Sequence, residues 1–172
     1  MNLFSELEYP QLNSHAVLSP CRRYRYALSR VWDANKPFVL FIGLNPSTAD
    51  ELQDDPTIRR CIGFAKSWGY GGLVMANLFA YRATDPYEMM EVSKPVGDMN
   101  DQWLETLAEA AGVIVAAWGN HGAFINRSLE VRRLLPNLCY LKLNASGEPA
   151  HPLYLKSSLI PVPWVYGLDI EI

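Results

Sequence analysis

The sequence predicts an α/β fold, a three-layer sandwich with a mostly parallel central sheet. Three observations predict it. Four apolar runs, at 38–44, 73–78, 113–118 and 138–143, have the continuous hydrophobicity of strands buried on both faces. Helical patterns separate successive runs, and strand–helix alternation implies parallel strands with helices on both faces of the sheet. The chain has 172 residues, no internal repeat and no low-complexity linker, which suits one domain with its own core. We therefore expect a single α/β domain over 1–172, with an N-terminal arm at 1–35 carrying an edge strand or hairpin, and a core at 36–160.

Each element has a local reason. Arg23-Tyr24-Arg25-Tyr26-Ala27-Leu28 alternates polar and apolar residues, the pattern of an antiparallel or edge strand. The first core strand is 38–44. Asp55-Pro56 reads as an N-cap followed by proline at the first helical position. Its helix continues through Ile58, Ile62 and Ala65 to about Trp68, before Gly69. The strand at 73–78 leads into a connection at 79–100 rich in Pro, Asp, Gly and Thr, long enough to be a functional loop. A second helix starts near Asp101 and runs through Trp103, Leu104 and Leu107 to Gly112. A third runs from about His121 to Leu134 and stops before Pro136.

Composition excludes several classes. No apolar run is long enough to span a bilayer. The first residues, MNLFSELEYPQLNSH, carry acids and no basic segment, unlike a secretory signal. Cys21, Cys61 and Cys139 are odd in number and widely spaced, which favours reduced thiols in a cytoplasm over a disulfide framework or a zinc site. The net charge of −3 argues against a dedicated non-specific DNA binder. There is no glycine-rich phosphate loop and no nucleophile elbow.

Ligands of such sheets sit at the carboxyl ends of the strands. Every exit here is polar: Asn45-Pro46-Ser47-Thr48, then Asn77 to Arg82, then Trp118-Gly119-Asn120-His121, and finally the loop from Asn144 to Pro152 containing His151. Asn45 and Ser47 offer an amide and a hydroxyl, or simply a hydrogen-bonded turn. Asn77 ends an apolar strand, so its amide either reads the edge of a planar ligand or ties down a loop. Phe79 and Tyr81 could stack a base, with core packing the plain alternative for Phe79. Asn120 and His121, at the third strand exit, either contact a ligand or, for His121, only cap the helix that follows. His151 precedes Pro152, which restricts its backbone to extended conformations and aims it as a donor or general acid. Asp50, Glu51, Asp54 and Asp55 form an acidic group that either binds a cation or leads into a helix N-terminus.

The segments GLNPSTAD (43–50), DDPTIRRC (54–61), NLFAYR (77–82), AWGNHG (117–122) and HPLYL (151–155) resemble those of an uncharacterised bacterial and phage family known as a domain of unknown function. The order of Gly43-Leu44-Asn45-Pro46, Asn77, Trp118-Gly119 and His151-Pro152 is also similar to the uracil-DNA glycosylase superfamily. That resemblance implies a nucleobase pocket at the strand ends and hydrolysis of an N-glycosidic bond, in DNA or a nucleoside. It implies that Asn45 positions the attacking water, Asn77 reads the base and His151 stabilises the departing nucleobase, as catalysis through an anionic leaving group requires. It implies no metal and no other cofactor. Leu153 replaces the serine that follows His-Pro in that superfamily, and Ser47-Thr48 replaces its tyrosine or glycine. Two further functions carry different expectations: a non-catalytic nucleotide or nucleic-acid binding module, and a metal-dependent nucleotide hydrolase using the acidic group.

Overall fold

The computed structural model describes residues 14–47, 49–50 and 52–165. Within them lie strands β1 (Ser14–Leu18), β2 (Arg25–Val31), β3 (Phe38–Gly43), β4 (Gly72–Asn77), β5 (Val113–Ala116), β6 (Cys139–Tyr140) and β7 (Val162–Pro163). The helices are α1 (Pro56–Ser67), α2 (Pro86–Glu91), α3 (Asn100–Ala110) and α4 (Arg127–Leu134). The seven strands form one sheet in the order β1-β2-β4-β3-β5-β6-β7.

The sheet is mixed, which corrects the expectation of a mostly parallel one. β4, β3, β5 and β6 are parallel neighbours, whereas β1/β2, β2/β4 and β6/β7 pair antiparallel. Strand–helix–strand repeats account only for the parallel block. The antiparallel flanks come from the β1/β2 hairpin, to which the alternation at 23–28 belongs, and from β7, whose two residues are too few to leave a periodic trace. β2 is antiparallel to both its neighbours, one of the two alternatives that its alternation left open, and it is not an edge strand. It lies between β1 and β4, and six of its seven residues are buried.

Alternation along the parallel strands sorts the core into two. Leu40, Ile42, Val74, Ala76, Ile114 and Ala116 face α2, α3 and α4 through Met89, Trp103, Leu104, Leu107 and Val131. Val39, Phe41, Leu73, Met75 and Val115 face α1 through Ile58, Cys61, Phe64 and Ala65. Helices therefore cover both faces. α1 starts as its sequence dictates: the Asp55 carboxylate accepts from Ile58 N at 2.8 Å, and Pro56 occupies the first turn. Full burial of Ile58 and Phe64 contributes roughly 1.5–3 kcal/mol each.

Three boundaries differ from expectation. The 79–100 connection contains α2, capped by Asp85 through Tyr87 N at 3.0 Å. The helix expected from His121 begins only at Arg127. Residues 120–126 form a 3-10 segment broken by an extended Phe124 and by left-handed Ile125 and Asn126 (φ 46° and 58°). The strand expected at 138–143 is reduced to Cys139–Tyr140.

The connections position the site. From β3 the chain crosses through α1 to β4 on one side of β3. From β4 it returns through α2 and α3 to β5 on the other side. The crossovers diverge at the carboxyl end of β3, the place where open α/β sheets form a ligand crevice.

Candidate functional site

A cavity of about 430 Å³ opens at that divergence, within the ~300–1,000 Å³ range of small-molecule sites. The ends of β3, β4 and β5 supply its base, and the loop carrying His151 supplies part of the rim. Of the expected residues, Asn45, Ser47, Asn77, Trp118, Asn120, His121 and His151 line it. The chain thus brings together side chains more than a hundred residues apart.

Asn77 is 3% exposed, and its Nδ2 has no hydrogen-bond partner among the described residues. It stands opposite Gly43 in the β3/β4 register. A Cβ on Gly43 would lie 3.0 Å from the Asn77 Oδ1, so glycine there gives the amide room to lie across the strand end. Behind it the β4 exit is fixed. Asn100 Nδ2 donates to the carbonyls of Asn77 and Leu78 at 2.9 and 3.0 Å, and Arg127 Nε donates to the Leu78 carbonyl at 3.0 Å. A buried donor without a partner is uncommon and costly. Of the six buried side-chain polar atoms without a partner among the described residues, those of Asn77 and Arg25 belong to residues that line the cavity.

Asn45 is held by its amide nitrogen, which donates to the carbonyls of Ala83 at 2.8 Å and Pro46 at 3.2 Å. Its Oδ1 is thereby oriented, with acceptor capacity in hand. His151 has the extended backbone expected before proline (φ −63°, ψ 136°) and caps the turn Pro152–Tyr154. Its Nδ1 accepts from Leu153 N at 3.2 Å, which leaves the proton of the neutral ring on Nε2. Although the residue reaches solvent at the rim, protein packed around the ring lowers its pKa below the ordinary 6.5; the charge of Asp55 opposes that shift.

The Trp118 indole is pinned as an apolar wall. Its Nε1 donates to Glu148 Oε2 at 2.6 Å, and Glu148 Oε1 accepts from Ser128 Oγ at 2.8 Å. A Cβ on Gly122 would fall 2.1 Å from Trp118 Cδ1, so only glycine lets the chain pass over the ring. Asn120 Oδ1 accepts from Asn144 Nδ2 and Ser146 Oγ at 3.0 and 2.7 Å, tying the loop after β6 to the rim. His121 is exposed and meets the Tyr87 ring edge-on at 5.5 Å.

Pro46, Phe79, Tyr81 and Arg82 do not line the cavity. Pro46 is buried, and its carbonyl accepts from Ala83 N at 3.0 Å. Phe79 is fully buried against Phe124, with ring centroids 5.7 Å apart. Tyr81 packs edge-on against Tyr24 at 5.6 Å, and Arg82 Nη1 donates to the Arg22 carbonyl at 3.1 Å.

Cavity-lining residues outside the expected set include Arg25, Thr57 and Thr84, and Asp55 of the acidic group also lines it. Arg25 is 2% exposed at the start of β2. Burial brings its pKa down from 12.5 to about 10, against the raising effect of Asp55. The signal that could have located it is an arginine in a strand flanked by other strands, where neither face is solvent.

The described members of the acidic group, Asp50, Asp54 and Asp55, do not gather as a metal centre. Asp50 Oδ1 accepts from Leu52 N and Gln53 N at 2.8 and 2.9 Å, bonds that lower its pKa. Asp54 pairs with Arg30 Nε at 2.8 Å, and Asp55 caps α1. Glu51, like Thr48, lies outside the described residues. Among the described residues no group of three His, Cys, Asp or Glu side chains could hold a metal ion. No described helix is long and apolar enough to cross a membrane.

No curated protein matches this chain, and no solved structure does. The sequence model of one family, described as "Protein of unknown function (DUF1643)", matches residues 25–153, a span running from Arg25 to Leu153 at the cavity wall. The chain belongs to that family.

Proposed function

We propose that the cavity binds a nucleobase-containing ligand and hydrolyses its N-glycosidic bond, in DNA or a nucleoside, in the manner of a uracil-DNA glycosylase-like fold. The observation that carries this reading is the Asn77 amide, buried with an unpartnered Nδ2, in one cavity with Asn45 and His151. An amide fixed at a strand end offers a donor and an acceptor side by side, the pattern that matches a base edge.

Each residue then has a role that its contacts favour. Asn77 binds the base edge. Asn45, held by two backbone carbonyls, accepts from a water with its Oδ1 and orients it toward C1′. His151 donates from Nε2 to the base oxygen, where negative charge develops as the bond breaks. The C1′–N electron pair leaves with the base and the water oxygen bonds to C1′. Net, hydroxyl is added to the sugar and a proton to the base. Trp118 supplies an apolar wall that keeps bulk water from that charge.

The test is release of free base from single- and double-stranded DNA carrying uracil, mismatches or common lesions, and from nucleosides. We expect release from at least one substrate, and a fall of about 10²–10³-fold in Asn45→Ala and in His151→Ala. Binding of a base-bearing ligand with no release from any substrate would instead identify a binding module. Neither binding nor release would end the nucleobase reading.

A further inference from the structure

Three arginines are buried among the described residues: Arg25, Arg30 and Arg127. Arg30 pairs with Asp54, and Arg127 with Asp101 and Glu130. Arg25 pairs with no carboxylate among the described residues. Its Nη1 donates to the Ala49 carbonyl at 2.7 Å, and its Nε has no hydrogen-bond partner. Yet Arg25 forms part of the cavity wall. Asp55 acts on it through space, but the Asp55 Oδ1 is engaged by Ile58 N. A guanidinium stays charged at neutral pH even with its pKa brought down to about 10. Buried charges are normally paired, because desolvation is otherwise uncompensated. Thr57, in the first turn of α1, and Ser47 add hydroxyls to the same cavity, and the Thr57 N–H has no intrahelical acceptor.

We propose that Arg25 is an anion subsite, so that the ligand is a nucleotide whose terminal phosphate monoester sits against this guanidinium. The proposal rests on the reading that Asn77 takes a base. Arg25 is 2% exposed, so only the end of a ligand reaches it. A phosphodiester inside a strand would bring two continuing chains into the cavity. The terminal phosphate belongs either to a free mononucleotide or to the end of a strand.

Calorimetric titration of the wild-type protein decides it. The panel is the common nucleosides, their 5′- and 3′-monophosphates, inorganic phosphate, and short oligonucleotides with and without a terminal phosphate. At least one monophosphate should bind about tenfold to a hundredfold more tightly than its nucleoside, as a charge-assisted contact implies. The gap should shrink with added salt and vanish in Arg25→Gln, with nucleoside affinity retained. Arg25→Lys, which keeps the charge and loses the planar fork, should retain part of it. Equal affinity for nucleoside and monophosphate in the wild type overturns the subsite and leaves the base reading intact. That comparison needs no variant to fold. Arg25-dependent binding of phosphate, unimproved by any base, upholds the subsite and removes the base reading. No binding of phosphate or of any monophosphate overturns the subsite. Preference for a phosphorylated oligonucleotide over the mononucleotide assigns the strand end as the source.

Discussion

The end of β4 has two sides, and each carries a buried arginine. On the side away from the cavity, Arg127 is fully buried, and each of its three guanidinium nitrogens has a partner: the Leu78 carbonyl, Asp101 and Glu130. On the cavity side, Arg25 is almost as buried and keeps one carbonyl. Asn77 beside it has an amide nitrogen with no partner among the described residues. Of these two arginines, the one on the structural side is saturated and the one at the cavity is not; Arg60 and Arg82, which lie outside the cavity, also keep an unpartnered Nε. Hydrogen bonds that stabilise are completed inside the chain, while those kept for a ligand remain open until it arrives.

Breaking this contrast begins with Arg127. Arg127→Ala should lower stability by about 3 kcal/mol, read by urea unfolding, because a buried charged network loses its centre. Arg25→Gln should change stability by no more than about 1 kcal/mol in either direction, since it removes an unpaired charge and keeps a donor near Ala49. Equal large losses in both would mean that Arg25 is as structural as Arg127, and the contrast would fail.

Next in size, Gly122→Ala places a methyl group into Trp118 and should cost roughly 1–3 kcal/mol. It should also alter tryptophan fluorescence as the Glu148 bond is lost. Gly43→Ala is milder: the new Cβ meets Asn77 Oδ1 at 3.0 Å. Melting temperature should shift little, while base affinity falls about tenfold, one displaced hydrogen bond's worth. A large stability loss with unchanged affinity would show that Asn77 reads nothing.

The smallest effect concerns pH. The folded-state pKa of His151 is depressed, so the folded protein binds fewer protons than the unfolded one between that pKa and the ordinary 6.5. The His151 contribution to stability is therefore fully present above about 6.5. It is lost as pH falls through the folded pKa, where protonation also removes the bond from Leu153 N. Unfolding curves from pH 8 to 5 should lose this acid-side decline in His151→Gln. An unchanged decline would assign it to other groups.

Much of the parallel block was legible in the sequence. The continuous apolar runs at 38–44, 73–78 and 113–118 each hold a buried strand, while that at 138–143 keeps only two strand residues, and Asp55-Pro56 fixes the start of α1 to the residue. The polar strand exits carry Asn45, Asn77, Trp118 and His151, which line one cavity, and also Phe79, Tyr81 and Arg82, which do not. What stayed hidden was hidden for physical reasons. α2 is six residues long, too short for periodicity to declare itself. The start of α4 is set by left-handed Ile125 and Asn126, which no apolar pattern encodes. Tyr81 and Phe79 have the same aromatic character whether they stack on a ligand or on a neighbour. Arg25 was masked by an alternating pattern that suits an edge, when β1 in fact covers that edge.

The reversal of β2 against β4 has a consequence for how the protein can vary. Arg25 N donates to the Ala80 carbonyl just past β4, so β2 enters the sheet where its parallel neighbours leave it. A strand running the other way would have delivered its opening residue to the far end, a full strand length from Asn77. The turn that feeds β2 is therefore a setting screw for the cavity. Adding or deleting a residue there would swing a cation in or out of reach, retuning what the pocket accepts without touching the floor beneath it.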